Sequence, residues 1–500
     1  MQMRLIFDSC YTWQLKNLKN KSLNSMWRYF AWLIAALLEC ALFGWLPEAA
    51  ASHDPLSTAH HVEGGALAQA SEAAVCPKDK IKTPLNLLDV VELALCNNPS
   101  TRIMWANART QAAQLGSSKS SYLPTLSGPV SVSRTRSEVG ASANDSSQQS
   151  IGVTATYLLY DFGGREAGVE NAKQLLIAAN ASRDETLQDA YLGAVQAYYA
   201  LLSARASVQA YIAAEAAASR SMDAAQTRYK AGMATQADRL QAQTALSQAV
   251  LNRIRADGEA ANAQGTLANA MGFDASQSFE LAPVSEAKPD PATERNMGDL
   301  LAEARRSRPD LRAAEAQIKA AEANVAAVRA SGLPVVNLNG TLSRTTSQVG
   351  GTSTTSFGKT VGVSVSMPWF SGFRDTYKKR AAKEQLESKI AERDQVANQA
   401  ALEVWKAYQQ LLTNSQALRA AEDLVASAEE SEKMALGRYK AGVGSILDTL
   451  TAQSTLANAN QQRVVALYNF LASKFALAQS IGELDLTLIG NGKTGLVKND

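Results

Sequence analysis

The string RYKAG occupies residues 228–232 and recurs at residues 438–442. The offset of 210 positions, from Arg228 to Arg438, extends far beyond the pentapeptide. Pro99 meets Pro309, Pro124 meets Pro334, and Ser133-Arg134-Thr135 meets Ser343-Arg344-Thr345. Asp238 meets Asp448, Ala242-Gln243 meets Ala452-Gln453, and Gly272 meets Gly482. A constant offset held over such a span means that the chain carries two copies of one structural unit. The copies are expected at 84–283 and 298–485, joined by a polar, proline-rich linker at 284–297. Whatever fold results must be one that two like halves build together.

Each copy opens on a helical segment whose first residue is proline, Pro99 or Pro309, where the missing N–H is unneeded. Two strands should follow, near 124–135 and 149–161 in the first copy and 334–345 and 358–370 in the second. Val336, Leu338, Gly340 and Leu342 alternate with Asn337, Asn339 and Thr341, and Val361, Val363 and Val365 alternate with Gly362 and Ser364. That period of two gives one apolar face and one face of small polar residues. The connecting segments SEVGASANDSSQQ and TSQVGGTSTTSFG read as flexible. A soluble hairpin over a core is the commoner use of such alternation. A strand of about ten residues, apolar outside and polar inside, also suits a membrane barrel. Four strands cannot close alone, and an open edge in lipid leaves backbone groups unpaired. Membrane placement therefore requires several chains, and three would supply twelve strands.

No proline interrupts Gly164–Tyr229 or Arg374–Tyr439, so each hairpin can lead into a helix of about 100 Å. Apolar residues recur there at threes and fours, as coiled-coil packing requires. RYKAG then ends the helix. Gly232 and Gly442 suit the left-handed position past a helix end, and Lys230 and Lys440 face the negative end of its dipole. Thr235 and Ser445, each followed three residues later by Asp238 or Asp448, would start a returning helix in the manner of a capping box. The tips of these helical hairpins fall at 230–236 and 440–446. If several chains pack about an axis, carboxylates at the tips form a ring that favours cations, with Asp448 and Asp238 the candidates.

Composition narrows the chemistry. The 49 basic residues nearly balance the 47 acidic ones, so no nucleic-acid footprint is present. The three histidines, His53, His60 and His61, all lie near the N-terminus, which excludes imidazole-based catalysis and most zinc sites from the repeats. No catalytic residue, cofactor or metal is expected. Basic residues up to Arg28, the apolar stretch 31–46 and Ala49-Ala50-Ala51 form a secretory signal, with a second cleavage candidate near residue 70 and a second start at Met26. Glu39 argues against lipoprotein processing at Cys40. Removal of 1–51 leaves an N-terminal segment, 52–83, and two cysteines, Cys76 and Cys96, which an oxidising compartment would pair. A tail at 486–500 follows the second copy.

Signal, duplication, paired strands with YDFGGRE (160–166) entering a long helix, and twin tips of glycine, hydroxyl residue and aspartate together resemble the TolC-type outer-membrane efflux proteins. The resemblance covers 84–485. It implies an α+β homotrimer whose twelve-stranded barrel stands in outer-membrane lipid and continues as a helical tunnel through the periplasm of a Gram-negative cell. It implies partners at the tips: a periplasmic adaptor and an inner-membrane pump, ABC-type or proton-driven. Gly232, Thr235, Gly442 and Ser445 then form the docking turns, and Asp448 matches the family's entrance-ring aspartate. Tyr439 and Asp238 match latch partners between neighbouring hairpins. Thr451 stands where a second ring aspartate is usual, and Gly444 where an arginine is usual. Arg228, Arg438 or Lys440 are the residues available to replace that arginine. The function implied is an exit channel for a protein (type I secretion) or for drugs. The segment CPKDKIKTPLNLLDVVELALCNNP (76–99) resembles members serving protein secretion. A periplasmic adaptor, the rival reading, would need a single hairpin between lipoyl-like β halves. A coiled-coil structural protein leaves the alternating strands without a purpose.

Overall fold

The computed structural model describes residues 54–62, 67, 84–139, 142–282, 296–349 and 351–486. The expected signal, Cys76, nearly all of the linker and the tail beyond Leu486 lie outside the described residues. The chain divides into two compact units at Ser57 and Thr58. Of the first, only a turn at Asp54–Ser57 is described, closed by Ser57 N donating to Asp54 O at 3.2 Å. Everything below concerns the second unit.

The elements repeat at the offset of 210 residues. Helices α1 (Leu87–Asn97) and α2 (Pro99–Lys119) precede strands β1 (Thr125–Ser127), β2 (Val130–Val139) and β3 (Ser142–Tyr160). Helices α3 (Gly164–Lys230) and α4 (Gln236–Ala270) complete the first copy. The second runs α5 (Met297–Ser307), α6 (Pro309–Ala330), β4 (Val335–Val349), β5 (Thr352–Ser366), α7 (Arg374–Lys440) and α8 (Ile446–Ser480). Pro99 and Pro309 stand in the first helical turn, as their missing N–H predicts. The short helices α1 and α5 stand ahead of the helical segments expected in each copy. Asn86 starts α1 with a complete capping box to Asp89, which is a legible signal.

β3 pairs antiparallel with β4, so the two copies are joined through their strands. β1 and β2 follow one another along the outer side of β3, and β5 lies on the outer side of β4. The strands reach further toward the loops than 124–135, 149–161, 334–345 and 358–370. Register pairs Thr345 with Ser356 and Gln348 with Ser353, drawing the polar connectors into the ladder. Cross-strand register places Val130, Ile151, Val153, Leu338, Leu342, Val361, Val363 and Val365 on one face. This face is open: Val361 is 82 % exposed and Val132 74 %. The opposite face carries Ser131, Thr154, Asn339, Thr341, Ser364 and their like, and no charged residue among the described side chains.

Helices α3 and α7 have 67 residues each, about 100 Å. Their returning partners α4 and α8 have only 35 and cover the half near the tips. The half near the strands is covered by α2 and α6 instead. Where these coverings meet lies the main core: Val90, Val91 and Leu95 of α1, Leu187, Tyr191, Tyr198 and Tyr199 of α3, Leu267 of α4 and Phe475 of α8. Chain reversals at this level repeat in both copies. Gly272 (φ 78°) and Gly482 (φ 80°) adopt the left-handed conformation, and a Cβ on either would lie under 3 Å from the backbone at Asn97 or at Ser307–Arg308. Arg308, nearly buried, bolts the second copy: it donates to Ser480 O at 3.0 Å, Asp310 Oδ2 at 2.7 Å and Glu403 Oε2 at 2.7 Å. Among the described residues no helix is long and apolar enough to cross a membrane.

Gly272→Ala should therefore lower stability by about 2–3 kcal/mol, from left-handed strain and backbone crowding combined. Gly168→Ala, in α3 with open space around it, should be neutral or slightly stabilising. Thermal melts of the two purified variants check this; equal melts would show that the close approach is unimportant.

Candidate functional site

The two RYKAG copies lie side by side at the tips and do different work. In the second, Tyr439 is only 7 % exposed and packs with Ala225, Ala242, Ile446 and Leu450. Arg228 of the first copy reaches across, its guanidinium 4.3 Å from the Tyr439 ring centre, and Nη2 donates to Lys440 O at 3.3 Å. That carbonyl is one of the last of α7 and has no partner within its own helix. The equivalent Tyr229 is exposed and carries Arg239 over its ring at 5.2 Å. The Tyr439 hydroxyl is buried and finds no hydrogen-bond partner among the described residues. Arg438 and Lys440 are exposed.

Gly232 and Gly442 take φ of 72° and 82°, the left-handed stop anticipated for them. The caps beyond them differ. Thr235 and Asp238 make a full capping box: Asp238 Oδ2 accepts from Thr235 N and from Oγ1, both at 2.8 Å, and Asp238 N donates to Thr235 Oγ1 at 3.1 Å. Ser445 Oγ accepts from Asp448 N at 3.1 Å, but the Asp448 carboxylate does not return to the cap. One aspartate is thus occupied locally, and the other stands exposed with Thr451 one turn on. Gly444 N donates to Arg438 O at 3.1 Å, and a Cβ there would lie 2.9 Å from Arg438 Cβ, which leaves no room for a side chain. In the chain itself Asp238 is not bonded to Tyr439. Cys96 is disulfide-bonded, and Cys76 lies outside the described residues.

Sequence reasoning missed a second polar feature, half-way along the helices. An open cleft of about 840 Å³ lies among α3, α6, α7 and α8, lined by Glu185, Asp189, Asp310 and Glu403 with Arg308 and Lys406. Burial, then the charges of Asp310 and Asp189, push the Glu185 carboxyl up to about 7. Burial also raises Asp189, although Gln479 Nε2 donates to it at 2.9 Å. Among the described residues no group of acidic, cysteine or histidine side chains is placed to hold a metal ion.

An exposed apolar sheet with a polar reverse, standing on helical hairpins about 100 Å long, defines one protomer of an outer-membrane channel. The model of the outer membrane efflux protein family matches residues 90–273 and again 300–483, and the chain belongs to that family. It is 29 % identical to Protein CyaE of Bordetella pertussis over 439 residues, covering 88 % of this chain and 92 % of the relative. It is 26 % identical to the outer membrane efflux protein BepC of Brucella suis, covering 79 % and 84 %. Among solved structures, the outer-membrane channel OprN superposes with a TM-score of 0.71 at 22 % identity, covering 80 % of this chain and 90 % of that one. The Campylobacter jejuni CmeC outer membrane channel gives 0.71 at 20 %, covering 81 % and 89 %. The protein is an outer-membrane efflux channel and not an enzyme.

Glu185 is held neutral below its raised pKa, so its contribution to stability is full below about 4.5 and is lost as pH rises through about 7. Glu185→Gln should therefore raise the melting temperature at pH 8 relative to wild type and leave it unchanged at pH 4.5. A gain of the same size at both pH values would assign the effect to packing.

Proposed function

We propose that three chains close their sheets into a twelve-stranded barrel, and that the helices continue it as a passive duct through the periplasm. Cargo, whether an exported protein or a small molecule, is handed over by an inner-membrane pump, ABC-type or proton-driven. A periplasmic adaptor docks on the turns Gly232–Thr235 and Gly442–Ser445. The observation that carries this reading is the sheet with two open edges: among the described residues β2 and β5 each have one unpaired side, which neighbouring copies can satisfy in lipid. The alternating polar face then lines a water-filled lumen.

Within that duct Asp448 forms the entrance ring, because its carboxylate is exposed and unused by the cap. Three such charges near an axis attract cations and resist simultaneous ionisation. Arg228 holds the tip closed by seating Tyr439 and the end of α7 against the first hairpin. The buried, unpaired Tyr439 hydroxyl is the group that a shift of the hairpins, or an acceptor from a neighbouring copy, would satisfy. Leaving it unpaired costs about 1–3 kcal/mol, enough to keep the closed tip within reach of an open one.

Single-channel recording in a planar bilayer tests the duct. Wild-type oligomers should give small, discrete conductance blocked by divalent cations. Asp448→Ala should remove the block, and Arg228→Ala should enlarge the conductance. Arg228→Ala should also speed amide exchange over residues 438–445 roughly fivefold, as loss of about 1 kcal/mol of cation–π and hydrogen-bond energy requires. Inserted oligomers that stay silent in all three forms would sink the proposal.

A further inference from the structure

Every described charged side chain of the strands lies on the lipid-facing side. By register, Arg134 and Arg136 of β2, Arg344 of β4 and Lys359 of β5 share the face of Val130, Leu342 and Val361, and Asp145 of β3 is the one described acid there. Such placement is costly within the apolar band, about 2–4 kcal/mol for Arg or Lys at mid-membrane, but falls to about 0–1 near the interface. The positions answer this. Moving across the sheet from β5 to β2, the apolar run ends at Lys359, at Arg344, at Gln149 and at Arg134, shifting by two residues along β4 register at each strand. Tilted barrel strands are staggered in register, so a diagonal of this kind stays within a few Å of one level. The level is on the hairpin-loop side. Past the opposite end of β5 come exposed aromatic side chains, Trp369, Phe370 and Phe373, with Trp369 88 % exposed.

Among the described residues, Arg344 and Lys359 make no ion pair. Arg134 meets Asp145 at 3.2 Å and Arg136 meets the same carboxylate at 4.0 Å, both among exposed groups, where an ion pair is worth little. Arg344 lies over the ring of Phe357 at 5.5 Å. Four cations per chain facing outward at the rim of an apolar band match phosphate groups borne by lipids whose acyl chains lie along that band. We infer that this level is a binding belt for phosphorylated glycolipid of the outer leaflet, Arg134, Arg136, Arg344 and Lys359 holding its phosphates. The inference needs the sheet to stand in the outer membrane, loops outward, and is independent of what the duct carries.

Native mass spectrometry of the detergent-purified oligomer tests it, with bis-phosphorylated lipid A and its dephosphorylated form as probes. Wild type should retain the phosphorylated lipid at least about tenfold better, and the variant R134Q/R136Q/R344Q/K359Q should lose that preference. Ten-millimolar inorganic phosphate, on the order of a strong phosphate-site competitor, should not displace the lipid if its acyl chains contribute to binding. Should the fourfold variant fail to assemble, R344Q/K359Q, which alters two exposed side chains, should lower the preference by at least about threefold. Equal retention of the two lipids by wild type, unchanged preference in assembled variants, or ready displacement by phosphate would overturn the belt.

Discussion

Closure of the strand ladder is the constraint on which the rest depends. A sheet of this width presents backbone donors and acceptors along β2 and along β5, and an exposed apolar face beside them. In water the face would aggregate; in lipid the edges would cost several kcal/mol per unpaired group. Both defects vanish together only when sheets from several copies join edge to edge with the apolar face outward. The helices then have no choice of position. Each follows its strand through a left-handed turn, Phe162-Gly163 in one copy and Gly372-Phe373 in the other, so the barrel's strand order dictates the helix order below it. Non-glycine residues in that conformation are strained, and the same turn kept in both copies shows that the geometry outweighs the strain.

Duplication supplies the scaffold, and divergence supplies the site. Two hairpins of equal length end at equal height because their elements are equal in length. Once the tips are level, single substitutions separate their roles. Asp238 closes its capping box and so stabilises a turn, while Asp448 leaves its own and keeps its charge available. Tyr229 faces outward and Tyr439 inward. The shared string RYKAG is therefore an interface between unlike environments: the arginine of one copy rests on the tyrosine of the other.

Much of this was legible because it is local or periodic. The helix stops at Gly232 and Gly442, the caps at Thr235 and Ser445, and the alternating strands all follow from short-range chemistry. The strand ends were not legible, since residues 352–356 carry no apolar side chain and gain their extended form by pairing with β4. The Arg228–Tyr439 contact and the cleft around Glu185 were hidden for the same reason, being made by residues some 200 positions apart that no periodicity connects. The charge of the strands was visible as composition, but its confinement to one face appears only when register aligns four strands.

Gly444 shows how one backbone demand limits which side chains can reach Tyr439. After α7 the chain turns so tightly that Val443 N and Gly444 N both donate to Arg438 O, at 3.0 and 3.1 Å. The first copy makes a looser turn, in which Met233 N donates to Arg228 O and residue 234 is alanine. With a Cβ at 444 only 2.9 Å from Arg438 Cβ, an arginine there would require a different turn. The cation that does lie over Tyr439 comes from the first copy, as Arg228. Its head can satisfy the end of α7 while its planar face covers the ring, two contacts that a lysine could not make together. The tight turn and the reaching arginine are thus one arrangement: the first removes the space for a local cation, and the second fills the need from the neighbouring hairpin.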